Sequence, residues 1–470
     1  MRHIEGESRH QIALLPESLE DFVSTDHPVR VIDAYIDTLD TRALGFDKAV
    51  TKETGRKPYD PADLLKLYVY GYLNRVSTSR RLERECQRNM EVMWLLKRLR
   101  PDFKTIADFR KDNGAAIRGA CSAFIGFCRE MQLVSGQQVA IDGSKFKAAA
   151  SIDQSLTRSQ VKRDRAEIEE KIQAYLQRLD RADDEDAQGE LNRERVQQAL
   201  ERLARRKQRL EVYEHGMQAS ARNEHCATEP EARLMRSGRE GTVLGYNVQS
   251  AVEAQSGLIV HHEVTDAQSD TNQLLEMAEK TKAALQVEKL AVLADAGYSN
   301  GEHLDACERQ GITATVPRRI IPGTRAEFQK IDFKYQAEHD RYRCPAGEVL
   351  RRSTVDKDRK HHVYRRTGCG RCPLQPRCTT ADARIVTRHF FEAAYARSEA
   401  RLRANPSLMS QRMQIAERPF AVLKQLMGFR RFSCRGLKAA RTEMSIAVLA
   451  YNLKQMVSNL GVPRLLALMS

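Results

Sequence analysis

Apolar positions along the chain change period near residue 138, and the change separates two kinds of element. Before it the spacing is helical. Val29, Ile32, Tyr35, Ile36 and Leu39 follow Asp26-His27-Pro28, an acidic cap with a proline in the first turn. Asp60-Pro61-Ala62-Asp63 repeats that signal ahead of Leu64, Leu65, Leu67, Tyr68 and Tyr70, which are apolar nearly all round and predict a buried helix. Further helices are predicted over Arg80–Arg88, around Met93, Trp94 and Leu95, and from Thr105 through Arg110. Beyond residue 138, Val139-Ala140-Ile141 and Leu290-Ala291-Val292-Leu293-Ala294 are short apolar runs, each delivering an aspartate, Asp142 and Asp295. They read as buried strands with a carboxylate at the edge.

Between these runs lie three more signals. Val161, Ile168, Ile172, Tyr175 and Leu179 keep heptad-like spacing, Asp180 to Gly189 is an acidic break, and Val196, Leu200, Leu203 and Leu210 resume the pattern. A helical hairpin inserted over 155–220 is predicted. Gly245–Val252 and Leu258–Val264 alternate and are joined by a short Gly-containing link, an antiparallel hairpin. A helix through Leu274, Leu275, Met277 and Ala278 leads to the Asp295 strand; Ser299-Asn300-Gly301-Glu302 opens another helix, and Ile312–Val316, stopped by Pro317, is one more strand.

Three strands in a meander followed by alternating helices and strands is the ribonuclease-H-like order, an α/β fold with a mixed sheet and flanking helices. A strand-end aspartate taken alone is more often a turn former. In this topology the Asp142 and Asp295 strands are neighbours, so the two carboxylates can meet at a metal site. The expected organisation is a helical DNA-binding domain over 1–135, the catalytic core over 136–335 with its inserted hairpin, a Cys-rich zinc-binding insertion over 336–395, and C-terminal helices completing the core over 396–470.

Charge adds a partner. A net charge of +14 and a pI of about 9.3 attract polyanions. Arg80, Arg81, Arg84 and Arg88 fall three, four and seven residues apart and would present one basic face to DNA phosphates, although a solvated face with pairs such as Glu85 to Arg88 fits the spacing equally. Whole-chain charge favours DNA. Arg205, Arg206, Lys207 and Arg209 on the hairpin's return limb suit a DNA- or partner-contacting arm, or more simply a solvated coiled-coil surface. No apolar run is long enough to cross a bilayer, and Met1–Glu7 lacks the apolar core of a signal peptide, so a cytoplasmic, nucleoid-associated protein without a membrane partner is expected. Its ten cysteines would stay reduced. Cys344, Cys369, Cys372 and Cys378 then match the tetrahedral needs of structural Zn²⁺, with His361 or His362 able to replace a thiol; the other six cysteines read as core residues.

Past Asn405-Pro406 the pattern is helical again, with Glu417 and Lys424 two turns apart on one face. Glu417 is a candidate third metal ligand and Lys424 a phosphate contact; on spacing alone Glu443 competes with Glu417.

Together, Ile141-Asp142-Gly143-Ser144, Ala294-Asp295-Ala296-Gly297-Tyr298 and Glu417-Arg418-Pro419-Phe420 followed by Lys424 resemble bacterial insertion-sequence transposases of the DDE class. Tyr59–Tyr68 through Thr105–Arg110 is similar to the helical N-terminal domain of one such group, and the similarity extends to Gly245-Tyr246-Asn247 and the Arg435–Asn452 tail. The resemblance implies that Asp142, Asp295 and Glu417 form the DDE triad, in preference to Glu443. It departs at one place: related transposases often carry an arginine four residues before the glutamate, where this chain has Met413, with Arg412 beside it. Three carboxylates suit two Mg²⁺ (or Mn²⁺) ions, with Asp142 bridging them. The implied reaction is hydrolysis at the terminal inverted repeats of a mobile element, then attack of the freed 3′-hydroxyl on target DNA. Lys145, Lys424 and the N-terminal arginines would hold phosphates, and a homodimer or higher oligomer would bring two DNA ends together. The alternatives are a non-catalytic, transposase-derived DNA-binding protein, a metal-dependent nuclease and, less well matched to the N-terminal helices, a ribonuclease acting on RNA–DNA hybrids.

Overall fold

Caps and apolar stripes fold the N-terminal region into α1 (Val29–Asp37), α2 (Pro61–Leu73), α3 (Ser79–Arg88), α4 (Met90–Leu95), α5 (Phe103–Asp112) and α6 (Gly114–Glu130). The structure is a computed structural model in which residues 18–51, 57–182, 188–238, 241–319 and 327–470 are described, without the side chains of 178–193. Met1–Glu7, the side chain of Leu179 and residues 183–187 of the acidic break therefore lie outside the described residues. Asp60 caps α2, accepting from the Ala62 N–H at 2.8 Å with Pro61 at the first helical position. At α1 the cap differs from the expected one. Asp26 accepts from Ser24 Oγ, and it is His27 Nδ1, two residues from the helix start, that accepts from the Val29 N–H at 3.2 Å.

The fold is mixed α/β and divides into two compact units. One contains the residues up to 135 with 143–268 and 417–470; the other contains 136–142 and 269–416. Strand β1 (Gln138–Lys147) passes from one to the other after Asp142.

In the first unit the short β2 (Ser155–Thr157) leads into α7 (Arg158–Ala182) and α8 (Gln188–Ala219), followed by β3 (Glu224–Cys226), β4 (Arg233–Ser237), β5 (Gly241–Glu253) and β6 (Ile259–Thr265). Val161, Ile168, Leu210, Tyr213 and Met217 form the seam of the α7–α8 hairpin. Arg206 faces Asp164 at 3.4 Å, Lys207 faces Glu169 at 3.4 Å and Arg205 faces Glu201 at 3.7 Å, so these cations belong to the hairpin's own paired surface. β5 runs antiparallel to β4 and β6. Beside it, the downstream half of β1 comes so close that a Cβ on Gly245 would stand 2.1 Å from the Phe146 carbonyl oxygen; only glycine permits the approach. Phe146 centres an aromatic cluster with Phe420, Phe429 and Phe432 at 6.1, 5.7 and 6.1 Å, and Tyr72 of α2 reaches it through Phe429 at 5.4 Å.

In the second unit α9 (Leu274–Leu285) precedes β7 (Leu290–Leu293), and α10 (Gly301–Arg309) links β7 to β8 (Ile312–Thr315). The upstream half of β1, β7 and β8 pair in parallel. Asn300 rather than Ser299 caps α10, accepting from the N–H groups of Glu302 and His303. The Cys-rich stretch contains more regular structure than its composition suggested. β9 (Lys334–Gln336), β10 (Arg341–Arg343), β11 (Val349–Asp356), β12 (His361–Thr367) and β13 (Ala383–His389) form an antiparallel sheet in the order β13-β12-β11-β10-β9, covering Phe333, Tyr342, Leu350, Tyr364 and Val386. Frequent arginines on the outer face hide its apolar alternation. The short α11 (Gln375–Cys378) lies between its last two strands, and α12 (Glu392–Ala404) and α13 (Leu408–Ala421) follow.

The chain closes in the first unit with α14 (Leu437–Leu460) and α15 (Val462–Met469). α14 is buried along most of its length against α2, α6 and β6. Its Glu443 is fully buried and paired with Arg110 of α5 at 2.8 Å, so it supports the core. Glu443→Ala should cost about 3–5 kcal/mol in urea unfolding, because it strands a buried guanidinium. His262 on β6 lies 2.9 Å from Ser445 Oγ of α14. Burial first, then the nearby His261 and Arg118, pushes its pKa down to about 3. The folded state thus resists a proton that the unfolded chain accepts near pH 6.5. Stability should fall as pH drops from about 6.5 toward 3, and His262→Gln should flatten that part of the pH–stability curve. Among the described residues no helix is long and apolar enough to cross a membrane.

Candidate active site

Register brings the two strand-end aspartates together. Ala140 of β1 pairs with Leu293 of β7 in parallel, and each carboxylate sits two residues further along the chain, Asp142 within β1 and Asp295 just past the end of β7. Asp142 and Asp295 therefore emerge at the same edge of the second unit. Asp295 Oδ1 also accepts from the Gly297 N–H at 2.8 Å, capping the turn Ala296–Tyr298. Its side chain is 49% exposed, whereas that of Asp142 is 16% exposed.

Between them stands Arg412. Leu408, Ile415 and Ala416 pack α13 onto Ala140 and Leu293, and Arg412 lies four residues from both Leu408 and Ala416 on the same face. Its Nη2 is 2.5 Å from Asp142 Oδ1 and 3.8 Å from Asp295 Oδ2, while the residue as a whole is only 8% exposed. Met413, at the position where related chains often carry the arginine, is half exposed. The offset of one residue is what turns Arg412 inward. Asp270 and Tyr298 complete the surroundings. A Cβ on Gly297 would lie 2.9 Å from Asp295 Oδ1 and 3.9 Å from Asp270 Oδ2. Burial raises the Tyr298 hydroxyl well above its usual pKa, and Asp270, Asp142 and Asp295 push it the same way, so the phenol stays protonated. Sequence reasoning missed Asp270, and it gave Tyr298, the last residue of the Asp295 motif, no role. Arg412 could have been found from its i,i+4 relation to Leu408 and Ala416.

The third expected carboxylate and the expected phosphate contacts lie in the first unit. Glu417 is exposed on α13. Lys424 sits in a π-helical turn, Val422–Leu426, and donates to Ser144 Oγ at 2.7 Å and to the Lys145 carbonyl at 2.8 Å, with Nζ 4.5 Å from the Phe146 ring centre. Arg80, Arg81, Arg84 and Arg88 are exposed around the buried Leu82 and Cys86 of α3. Arg80 lies over Phe103 at 5.3 Å, and Arg88 donates to Glu85 at 3.0 Å, the intrahelical pair its spacing allowed.

Cys344, Cys369, Cys372 and Cys378 all line one small cavity of about 30 Å³ in the second unit. Burial raises the Cys378 thiol, Arg384 opposes this, and the other three sulfurs raise it further. His361 and His362 lie elsewhere on β12, packed against His389 and Phe390. Among the described residues no three His, Cys, Asp or Glu side chains stand in a ready cation cage. The donors nonetheless suit different ions: four clustered soft sulfurs suit zinc, and carboxylates already converging on a guanidinium suit a hard cation.

Comparison with known families adds two matches. Residues 17–112 match a transposase domain (DUF772), and residues 343–457 match a transposase DDE domain. Both matched regions are thus similar to transposases, the second to those of the DDE type. The second transposase match includes Glu417, Lys424 and all four clustered cysteines, while Asp142 and Asp295 fall outside both. No curated protein matches the chain. Among solved structures, a piggyBac transposase synaptic complex with hairpin DNA is similar at 9% identity and a TM-score of 0.36, covering 94% of this chain and 78% of that one.

Proposed function

We propose that the protein is a DDE-type transposase of an insertion sequence, cutting the element's terminal inverted repeats and joining them to target DNA on a ribonuclease-H-like core. The observation that carries the reading is the pair Asp142 and Asp295, placed side by side by parallel register and drawn to one buried cation, Arg412. Asp142, Asp295 and Glu417 would hold Mg²⁺ or Mn²⁺. When bound, such ions supply Lewis acidity and a nucleophile at neutral pH. The chain's own residues do the rest. Arg412, itself nearly buried, orients Asp142 through the contact of its Nη2 to Oδ1. Tyr298, held protonated, can donate to an oxygen but not accept its proton. Exposed Arg80, Arg81, Arg84 and Arg88, with Lys145 and Lys424, would bind phosphates and give an affinity that falls steeply with salt. Two DNA ends call for a dimer or higher oligomer. Cys344, Cys369, Cys372 and Cys378 would hold structural Zn²⁺ below the β9–β13 sheet.

The test is a labelled duplex carrying the element end, incubated with the purified protein and target DNA, with Mg²⁺ or with EDTA. Metal-dependent nicks and joined products are expected. Nicks without joining from a pre-cut end would indicate a nuclease. Tight binding with neither product would indicate a non-catalytic DNA-binding protein.

A further inference from the structure

We propose that Arg75, in the N-terminal transposase domain, is a positioning residue that holds the Lys424 turn in place. The first clue is local. α2 ends in a reverse turn in which the Val76 N–H donates to the Gly71 carbonyl at 2.7 Å, and Arg75, just past the helix end, has φ +61°. That left-handed position is normally glycine's, since any side chain there is strained. The Arg75 side chain reaches a distant segment. Nε donates to the Leu426 carbonyl at 2.7 Å and Nη2 to the Gln425 carbonyl at 3.0 Å, some 350 residues along the chain and within the same compact unit.

The second clue is the turn itself. Val422–Leu426 is π-helical, closed by the Met427 N–H donating to the Val422 carbonyl at 2.9 Å. Such turns are rare and open the backbone ladder, so their carbonyls need other donors. Here each finds one. The Phe429 N–H takes the Leu423 carbonyl at 2.8 Å, Arg430 Nε takes that of Lys424 at 2.9 Å, and Arg75 takes the last two. Lys424, in the middle, is thereby held against Ser144, the Lys145 carbonyl and Phe146 on the strand that carries Asp142. The N-terminal domain would then support the chemistry through this brace, apart from any DNA it binds. The inference rests on the reading of Lys424 as part of the DNA-cutting site.

Arg75→Gly separates this role from a structural one, because glycine suits the backbone at that position and should preserve or raise the thermal midpoint. With the DNA-free protein, acylation of Lys424 by an N-hydroxysuccinimide ester, followed by mass spectrometry, should be several-fold faster in Arg75→Gly, with other lysines unchanged. In single-turnover cleavage at saturating DNA the rate should fall about tenfold, the factor commanded by one charge-assisted hydrogen bond, while the Kd for end duplex weakens by no more than it does in Lys424→Ala, the loss of one phosphate contact among several. Arg75→Gly combined with Lys424→Ala should be no worse than Lys424→Ala alone. Unchanged Lys424 acylation in the folded variant would overturn the proposal. So would a weakened Kd with normal cleavage at saturating DNA, which would make Arg75 a DNA contact. Acylation needs no activity, so it judges Arg75 even if the wild-type protein neither cuts nor joins. Should Arg75→Gly not fold, Arg75→Lys, which keeps the charge but loses the two-carbonyl fork, is judged on the same readouts.

Discussion

Asp142→Ala is expected to abolish cutting and joining of element ends, by on the order of a thousandfold or more, because it removes a carboxylate proposed to hold the cation that would stabilise transition-state charge. Affinity for duplex ends should change little, because the exposed arginines of α3 are remote in sequence and keep their charge. Asp142 is the more enclosed of the two paired carboxylates and makes the shorter contact to Arg412. Removing it leaves a nearly buried guanidinium with Asp295 at 3.8 Å, so some loss of stability should accompany the loss of activity. Asp142→Asn keeps the shape and isolates the chemical loss. Cutting that survives in Asp142→Asn, with Mg²⁺ present, would remove Asp142 from the catalytic role.

The second large effect concerns the four thiols. Structural zinc sites contribute about 10–16 kcal/mol of apparent binding energy at neutral pH, and that energy is folding energy. The β9–β13 sheet has only a small apolar core, so the loss of a cross-link at one end should expose it. Metal analysis of the purified protein should find one zinc per chain. Cys378→Ser, or a strong chelator applied to the wild type, should release that zinc and open the stretch 327–395 to limited proteolysis. The α14 core, which contains none of these ligands, should remain protected. A zinc-free preparation whose Cys-rich sheet resists protease as before would refute the assignment.

Much of this was legible along the chain because it depends on local physics. Asp60-Pro61 announced α2, alternation announced the β5–β6 hairpin, and heptad spacing announced α7 and α8. The runs before Asp142 and Asp295 marked both strands, and transposase motifs marked the family. The five-stranded sheet was not legible, since its strands are short and rich in arginine, and only pairing with neighbours makes them strands. Neither were the roles of two glutamates separable by spacing. Glu443 and Glu417 both lie on helices, and burial against Arg110 is what assigns Glu443 to the core.

By itself, then, the sequence determined which segments are helices or strands, the basic character that calls for a polyanion, and the residues from which a DDE site could be drawn. Register, burial and reach across the chain were decided by tertiary structure alone. Parallel pairing two residues upstream aligned Asp142 with Asp295, a one-residue offset on α13 turned Arg412 rather than Met413 toward them, and Arg75 met carbonyls 350 residues away. Such contacts depend on where whole elements pack, and no local preference encodes that.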